Sequence, residues 1–107
     1  MAQISRVRQH VNPLSNKYST PVTVPDWGEL FAKPQLPLHL DIGCAKGDFV
    51  RAMALEVPSW NFLGLEIRAP LVDRSLMKRD RDQQKNLHFV FCYANNSLDP
   101  LLLNYSA

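Results

Sequence analysis

Leu38-His39-Leu40-Asp41-Ile42-Gly43-Cys44-Ala45-Lys46-Gly47-Asp48-Phe49-Val50 is the stretch that decides how this chain folds. An apolar run enters a loop bounded by two glycines, and Phe49, Val50, Met53, Ala54 and Val57 then recur at helical spacing as far as Pro58. The pattern predicts a strand over residues 36–42, a tight turn, and an amphipathic helix that Pro58 stops. Strand, glycine loop and helix in this order build the nucleotide-sized pocket of an α/β sheet. Glycine lets a ligand approach the backbone, and the helix start presents unpaired amides.

Working outward, Trp60-Asn61-Phe62-Leu63-Gly64-Leu65-Glu66-Ile67 reads as a second strand that ends in an acid. Pro70 suits the first turn of a second helix, with Leu71, Val72, Ser75 and Leu76 on one side and Asn86 at its end. Arg74, Lys78, Arg79, Arg81 and Lys85 alternate there with Asp73, Asp80 and Asp82, the mixture of a solvated face. Residues 87–91 form a third strand, and 97–103 a last short helix. Alternating strands and helices imply an α/β fold with parallel pairing through right-handed crossovers. The expectation is a Rossmann-like sheet holding only its first three parallel strands and their helices. The first strand, with His39 between leucines, reads as a central strand covered on both faces. Three parallel strands leave edges and faces uncovered, so the sheet is expected to pair with a second copy, as a homodimer, or with a missing C-terminal half.

Residues 1–36 carry Pro13, Pro21, Pro25 and Pro34, a density that prevents long helices and reads as an extended arm. Arg6, Arg8 and Lys17 precede its first acid, Asp26, so the arm is basic; phosphate contact and a solvated tail both fit that composition. Asp26 can cap one helical turn that sets Trp27, Leu30 and Phe31 against the domain formed by residues 37–107.

The chain has 107 residues, 46% apolar and 21% charged, the composition of one small globular domain. No apolar run approaches the roughly 20 residues of a membrane helix, no signal peptide is visible, and the expected compartment is the cytoplasm. A net charge of +2 gives little global attraction to nucleic acid. Two cysteines, Cys44 and Cys92, with no CxxC pair, argue against a disulfide scaffold and against a zinc site, so no metal is expected.

Glu66 stands about 20 residues beyond the loop, where a carboxylate can accept bonds from both hydroxyls of a ribose. That pairing points to an adenosine-containing cofactor; the plainer reading is a tight turn followed by a surface acid. A dinucleotide fingerprint needs G-x-G-x-x-G, but Ala45 fills the middle position and nothing matches the third glycine. Asp41 lies two residues before Gly43, where its carboxylate would repel a pyrophosphate and attract a cation. S-adenosylmethionine carries an ammonium and a sulfonium, so the acid favours it over NAD.

Residues 41–49, Asp-Ile-Gly-Cys-Ala-Lys-Gly-Asp-Phe, followed by Phe62-Leu63-Gly64-Leu65-Glu66-Ile67-Arg68, resemble the bacterial tRNA (guanine-N7)-methyltransferase family. The first motif is general to class I methyltransferases, whereas Gly-x-Glu-Ile-Arg is much more restricted to this family. Residues 6–14, Arg-Val-Arg-Gln-His-Val-Asn-Pro-Leu, and Asp26-Trp27 also resemble its N-terminal segment, so the likeness covers essentially the whole chain. The resemblance implies S-adenosylmethionine held by Asp41, Gly43, Ala45 and Gly47, with Glu66 on the ribose and Arg68 beside it. Family members carry an Asp-Ala or Asn-Ala pair on the adenine after the third strand; here Asn95, then Asn96, are the candidates. Ala45 replaces the middle loop glycine of the commonest family pattern.

The same resemblance implies an enzyme that methylates guanine N7 in tRNA. That nitrogen attacks through a lone pair and loses no proton, so alignment and water exclusion matter more than a general base. The product base is cationic, and a nearby carboxylate would stabilise the transition state. The family supplies that acid from a Phe-Pro-Asp-Pro-Trp-like motif after a fourth strand, which does not occur before Ala107, so no catalytic residue is assigned. The chain therefore resembles the N-terminal half of such an enzyme. The rival expectation is a non-catalytic cofactor- or RNA-binding module, or a truncated fragment lacking the catalytic half.

Overall fold

The computed structural model describes residues 25–92 together with Leu102 and Tyr105. In chain order its elements are α1 (Trp27–Leu30), β1 (Leu38–Ile42), α2 (Asp48–Glu56), β2 (Asn61–Glu66), α3 (Ala69–Arg81) and β3 (Leu87–Phe91). The strands form one parallel sheet in the order β1-β2-β3. Leu38 lies opposite Asn61 and Ile42 opposite Leu65, while Phe62 lies opposite Leu87 and Glu66 opposite Phe91. Crossovers of one hand, wound in one direction, put both connecting helices on the same face. Val50 and Ala54 of α2 and Val72 of α3 accordingly pack with Phe62, Leu87 and Phe89 of the sheet. The fold is the first part of a Rossmann-like sheet, as expected.

Local chemistry sets the element ends. α2 starts at Gly47, whose φ of 74° is left-handed, and Asp48 places an acid in the first turn. α3 carries in its first turn a proline, whose fixed φ suits a helix start, and in its last turn Lys78, Arg79 and Arg81, favourable to the helix dipole. It ends five residues earlier than the position of Asn86 implied. Asp82 caps it and Gln83 turns left-handed at φ 53°. Asn86 instead ties two elements together, its amide donating to the carbonyls of Ala54 (2.9 Å) and Trp60 (3.0 Å).

The other sheet face is closed by α1. Asp26 accepts from the Gly28 amide at 3.0 Å and caps this single turn. Trp27 and Phe31 stack, Tyr105 meets both edge-on, and all three pack with Leu38, Leu40, Leu63, Leu65 and Val90. The Tyr105 hydroxyl accepts from Asn61 Nδ2 and donates to the Leu36 carbonyl. Among the described residues β1 is an edge strand, not the central strand that its leucines implied. β2 is central, with all six residues buried, because only it is paired on both sides.

The mixed charges of α3 are met by opposite charges nearby. Arg51 and Arg81 both reach Asp82 at 2.9 Å, and Lys78 lies 3.8 Å from Asp48. No helix among the described residues is long and apolar enough to cross a membrane. The helix expected over 97–103 lies outside the described residues except for Leu102, and residues 1–24 of the expected arm also lie outside them.

Candidate functional site

The loop after β1 is bound to the carboxyl end of β2. The amides of Gly43 and Cys44 both donate to the Leu65 carbonyl, at 2.7 and 3.1 Å, and the Gly47 amide donates to the Cys44 carbonyl at 2.9 Å. From above, Ser75 of α3 donates its hydroxyl to the Lys46 carbonyl at 3.0 Å. Three loop residues adopt left-handed backbone: Gly43 at φ 72°, Ala45 at 51° and Gly47 at 74°. Ala45 thus takes a conformation that costs a non-glycine residue roughly 1 kcal/mol. This is a physical reason for a glycine at the position it fills.

The two glycines do different things. A Cβ on Gly47 would stand 2.7 Å from the Phe89 ring and 2.9 Å from Ser75 Oγ, so its bare backbone serves packing. A Cβ on Gly43 would meet nothing within 4 Å. Gly43 is therefore the glycine that leaves backbone open to a ligand.

Glu66 ends β2 beside this loop, 2% exposed. Its Oε1 accepts from the Ala45 amide at 2.9 Å and from Arg68 Nη2 at 3.2 Å. Its Oε2 accepts from the Arg68 amide at 3.0 Å and from Arg68 Nε at 2.8 Å. Burial alone would raise the pKa of this carboxyl. The Arg68 side chain first, then the Ala45 and Arg68 amides, outweigh burial and hold it below its ordinary 4.5, so Glu66 is ionised at neutral pH. The same contact raises the pKa of Arg68.

Asp41 is half-buried on β1 and, by strand alternation, shares the face of His39, whose ring lies 5.3 Å from that of Phe62. The Cys44 thiol lies within reach of the charges of both acids. It is pushed up to about 12, first by burial, then by the charges of Asp41 and Glu66. The burial part of that shift acts on any charge, whereas the part from the two carboxylates opposes a pyrophosphate at the loop. Open backbone at Gly43, a negative field and an ionised carboxylate suit a cationic ligand bearing a ribose.

Of the residues expected in the site, the structure brings together Asp41, Gly43, Ala45, Gly47, Glu66 and Arg68. Gly47 lies in the loop but faces the core, and Asn95 and Asn96 lie outside the described residues. Sequence reasoning missed Ser75 as the residue that holds the loop down. Its signal was a hydroxyl on the otherwise apolar stripe of α3. A cavity of about 390 Å³ lined by Phe31, Ala32, Arg79, Gln83 and Lys85 lies elsewhere, near the amino ends of the strands. Its Arg79 is already engaged by Asp80 at 2.7 Å and by His88 Nδ1 at 2.6 Å.

A tRNA (guanine-N(7)-)-methyltransferase of Trichormus variabilis is 57% identical over 97 residues, covering 91% of this chain and 45% of the relative. Those of Thermosynechococcus vestitus and Microcystis aeruginosa are 52% identical over 101 residues and 50% identical over 107, covering 94% and 100% of this chain. The chain covers 47% and 50% of those two relatives, and so spans about half the length of the curated relatives it matches. Residues 35–106 match the family described as "Putative methyltransferase". That match takes in the sheet, the loop and Glu66 together, and the chain belongs to this methyltransferase family.

Proposed function

We propose that this chain holds S-adenosylmethionine for the methylation of guanine N7 in tRNA, as its similarity to the named relatives implies. The observation that carries the reading is the meeting of an open left-handed Gly43 with the buried, ionised Glu66 and with Asp41. When bound, the cofactor supplies a methyl group made electrophilic by its sulfonium. Asp41 sets the negative field that favours the cofactor's positive charges. Glu66 offers acceptors to the ribose hydroxyls, and the Ala45 and Arg68 amides keep its carboxylate oriented. Asn95, with Asn96 as the second candidate, is assigned to the adenine edge, and the basic segment within residues 1–36 to tRNA phosphate.

In this reading residues 37–107 are the donor side of the reaction, the compartment is the cytoplasm, and no residue here is assigned as the catalytic acid. Titration calorimetry with S-adenosylmethionine and, separately, NAD tests it. Binding of the first and not the second is expected. Failure of S-adenosylmethionine to bind at millimolar concentration would overturn the proposal, and tight NAD binding in its place would revive the dinucleotide reading. The rival reading is a non-catalytic cofactor- or RNA-binding module. Methyl transfer to tRNA by this chain alone would eliminate it.

A further inference from the structure

Every lone-pair direction of the Glu66 carboxylate is filled from within the chain. Each oxygen accepts one backbone N–H, from Ala45 on Oε1 and from Arg68 on Oε2. Each also accepts one N–H of the Arg68 guanidinium, Nη2 on Oε1 and Nε on Oε2. A vicinal diol needs the same pair of directions, one acceptor on each oxygen, at a similar spacing. It cannot enter while the guanidinium stays.

We propose that Arg68 is an internal stand-in for the ribose diol, a latch that a diol-bearing ligand must displace from Glu66. This inference rests on the cofactor reading above and adds a residue that sets its affinity and selectivity. The two backbone amides still hold one oxygen each after the fork leaves, so the carboxylate keeps its orientation when the latch opens. The Arg68 side chain is 20% exposed against 2% for Glu66, which gives the guanidinium a way out to solvent. Apparent affinity is then the intrinsic affinity multiplied by the open fraction, and removing the fork raises it. Arg68 is a positioning residue in this scheme, because it acts through Glu66.

The test compares the 107-residue chain with Arg68→Met, which keeps the stem and removes the fork, and with Arg68→Lys, which cannot bridge both oxygens. The probes are S-adenosylhomocysteine, which has no sulfonium and so gains little from the loss of a nearby positive charge, and its 2′,3′-dideoxy analogue. Titration calorimetry is expected to show about tenfold tighter binding of S-adenosylhomocysteine by Arg68→Met, the size of one displaced charge-assisted contact. Arg68→Lys should fall between, and binding of the dideoxy analogue should not change. Equal or weaker binding of S-adenosylhomocysteine by Arg68→Met would overturn the latch while leaving the cofactor reading intact. So would an equal gain for both probes, because the gain would not pass through the diol. Failure of the parent chain and both variants to bind S-adenosylhomocysteine at millimolar concentration would overturn the cofactor reading itself, and the latch with it. Far-ultraviolet melting curves show whether Arg68→Met is folded; if it is not, Arg68→Lys carries the comparison alone.

Discussion

Alanine substitution at the two loop glycines separates the residue that serves packing from the residue proposed to face the cofactor. Gly43 and Gly47 have nearly the same left-handed φ, 72° and 74°, so the backbone strain of adding a Cβ is the same, roughly 1 kcal/mol at each. Their surroundings are opposite. The new methyl at 47 would sit 2.7 and 2.8 Å from the Phe89 ring and 2.9 Å from Ser75 Oγ, whereas at 43 it meets nothing within 4 Å. Phe89 is buried in the core behind α2 and α3 and cannot yield without moving its neighbours. Forcing a methyl into such a core typically costs about 1–3 kcal/mol more. Gly43→Ala should therefore lose about 1 kcal/mol of stability and Gly47→Ala about 2–4 kcal/mol. Urea unfolding of both variants, read by circular dichroism at a fixed temperature with the slope checked for constancy, measures the difference. Ligand affinity should divide the other way: Gly43→Ala, still folded, is expected to bind S-adenosylmethionine at least about tenfold more weakly, since in the proposed site its methyl would project toward the cofactor. Equal destabilisation of the two variants would refute the packing argument. An unchanged affinity in Gly43→Ala would refute its ligand-facing role.

Other consequences can be checked as directly. Phe31→Ala removes the ring that stacks on Trp27 under the sheet and should cost about 3–5 kcal/mol in urea, enough to unfold a small domain at modest temperature. His88 is lowered to about 4 by burial and then by the Arg79 guanidinium. A depressed pKa contributes stability above the unfolded value of 6.5 that is lost as pH falls towards 4, so the urea midpoint should drop across that window and drop less in His88→Gln. The Cys44 thiol, raised to about 12, should react with iodoacetamide at pH 8 far more slowly than a free thiol, and Asp41→Asn should speed it. Because that value lies above the ordinary 9.0, stability from keeping the thiol neutral is present below pH 9 and falls as pH rises towards 12.

Strand and helix order was legible because hydrophobic spacing changes abruptly at Gly43 and Pro58, and Leu87–Phe91 has no other plausible role than a strand. The end of α3 was not legible, because Asp82 and Gln83 leave the helix through a left-handed residue that carries no glycine signal. Among the described residues β1 lies at the edge, which its leucines did not announce, for a related reason. Leucines at alternate positions report covered faces, and say nothing of whether a second strand pairs with the edge. Phe49 and Ile42 show the same limit: both fit an apolar pattern, yet they are 62% and 57% exposed. In the site, the loop and Glu66 were legible from spacing alone. The Arg68 fork and the Ser75 hydroxyl depend on side-chain direction across elements, which spacing does not encode.

The central claim is that Gly43, Glu66 and Asp41 form a cofactor site, and backbone nuclear magnetic resonance with S-adenosylmethionine tests it residue by residue. Saturable shift changes concentrated at the amides of residues 43–47 and 66–68, weakened about tenfold or more in Glu66→Gln, are the expected result. Shifts confined to the cavity around Phe31, Arg79 and Lys85, or none at millimolar cofactor, would contradict it.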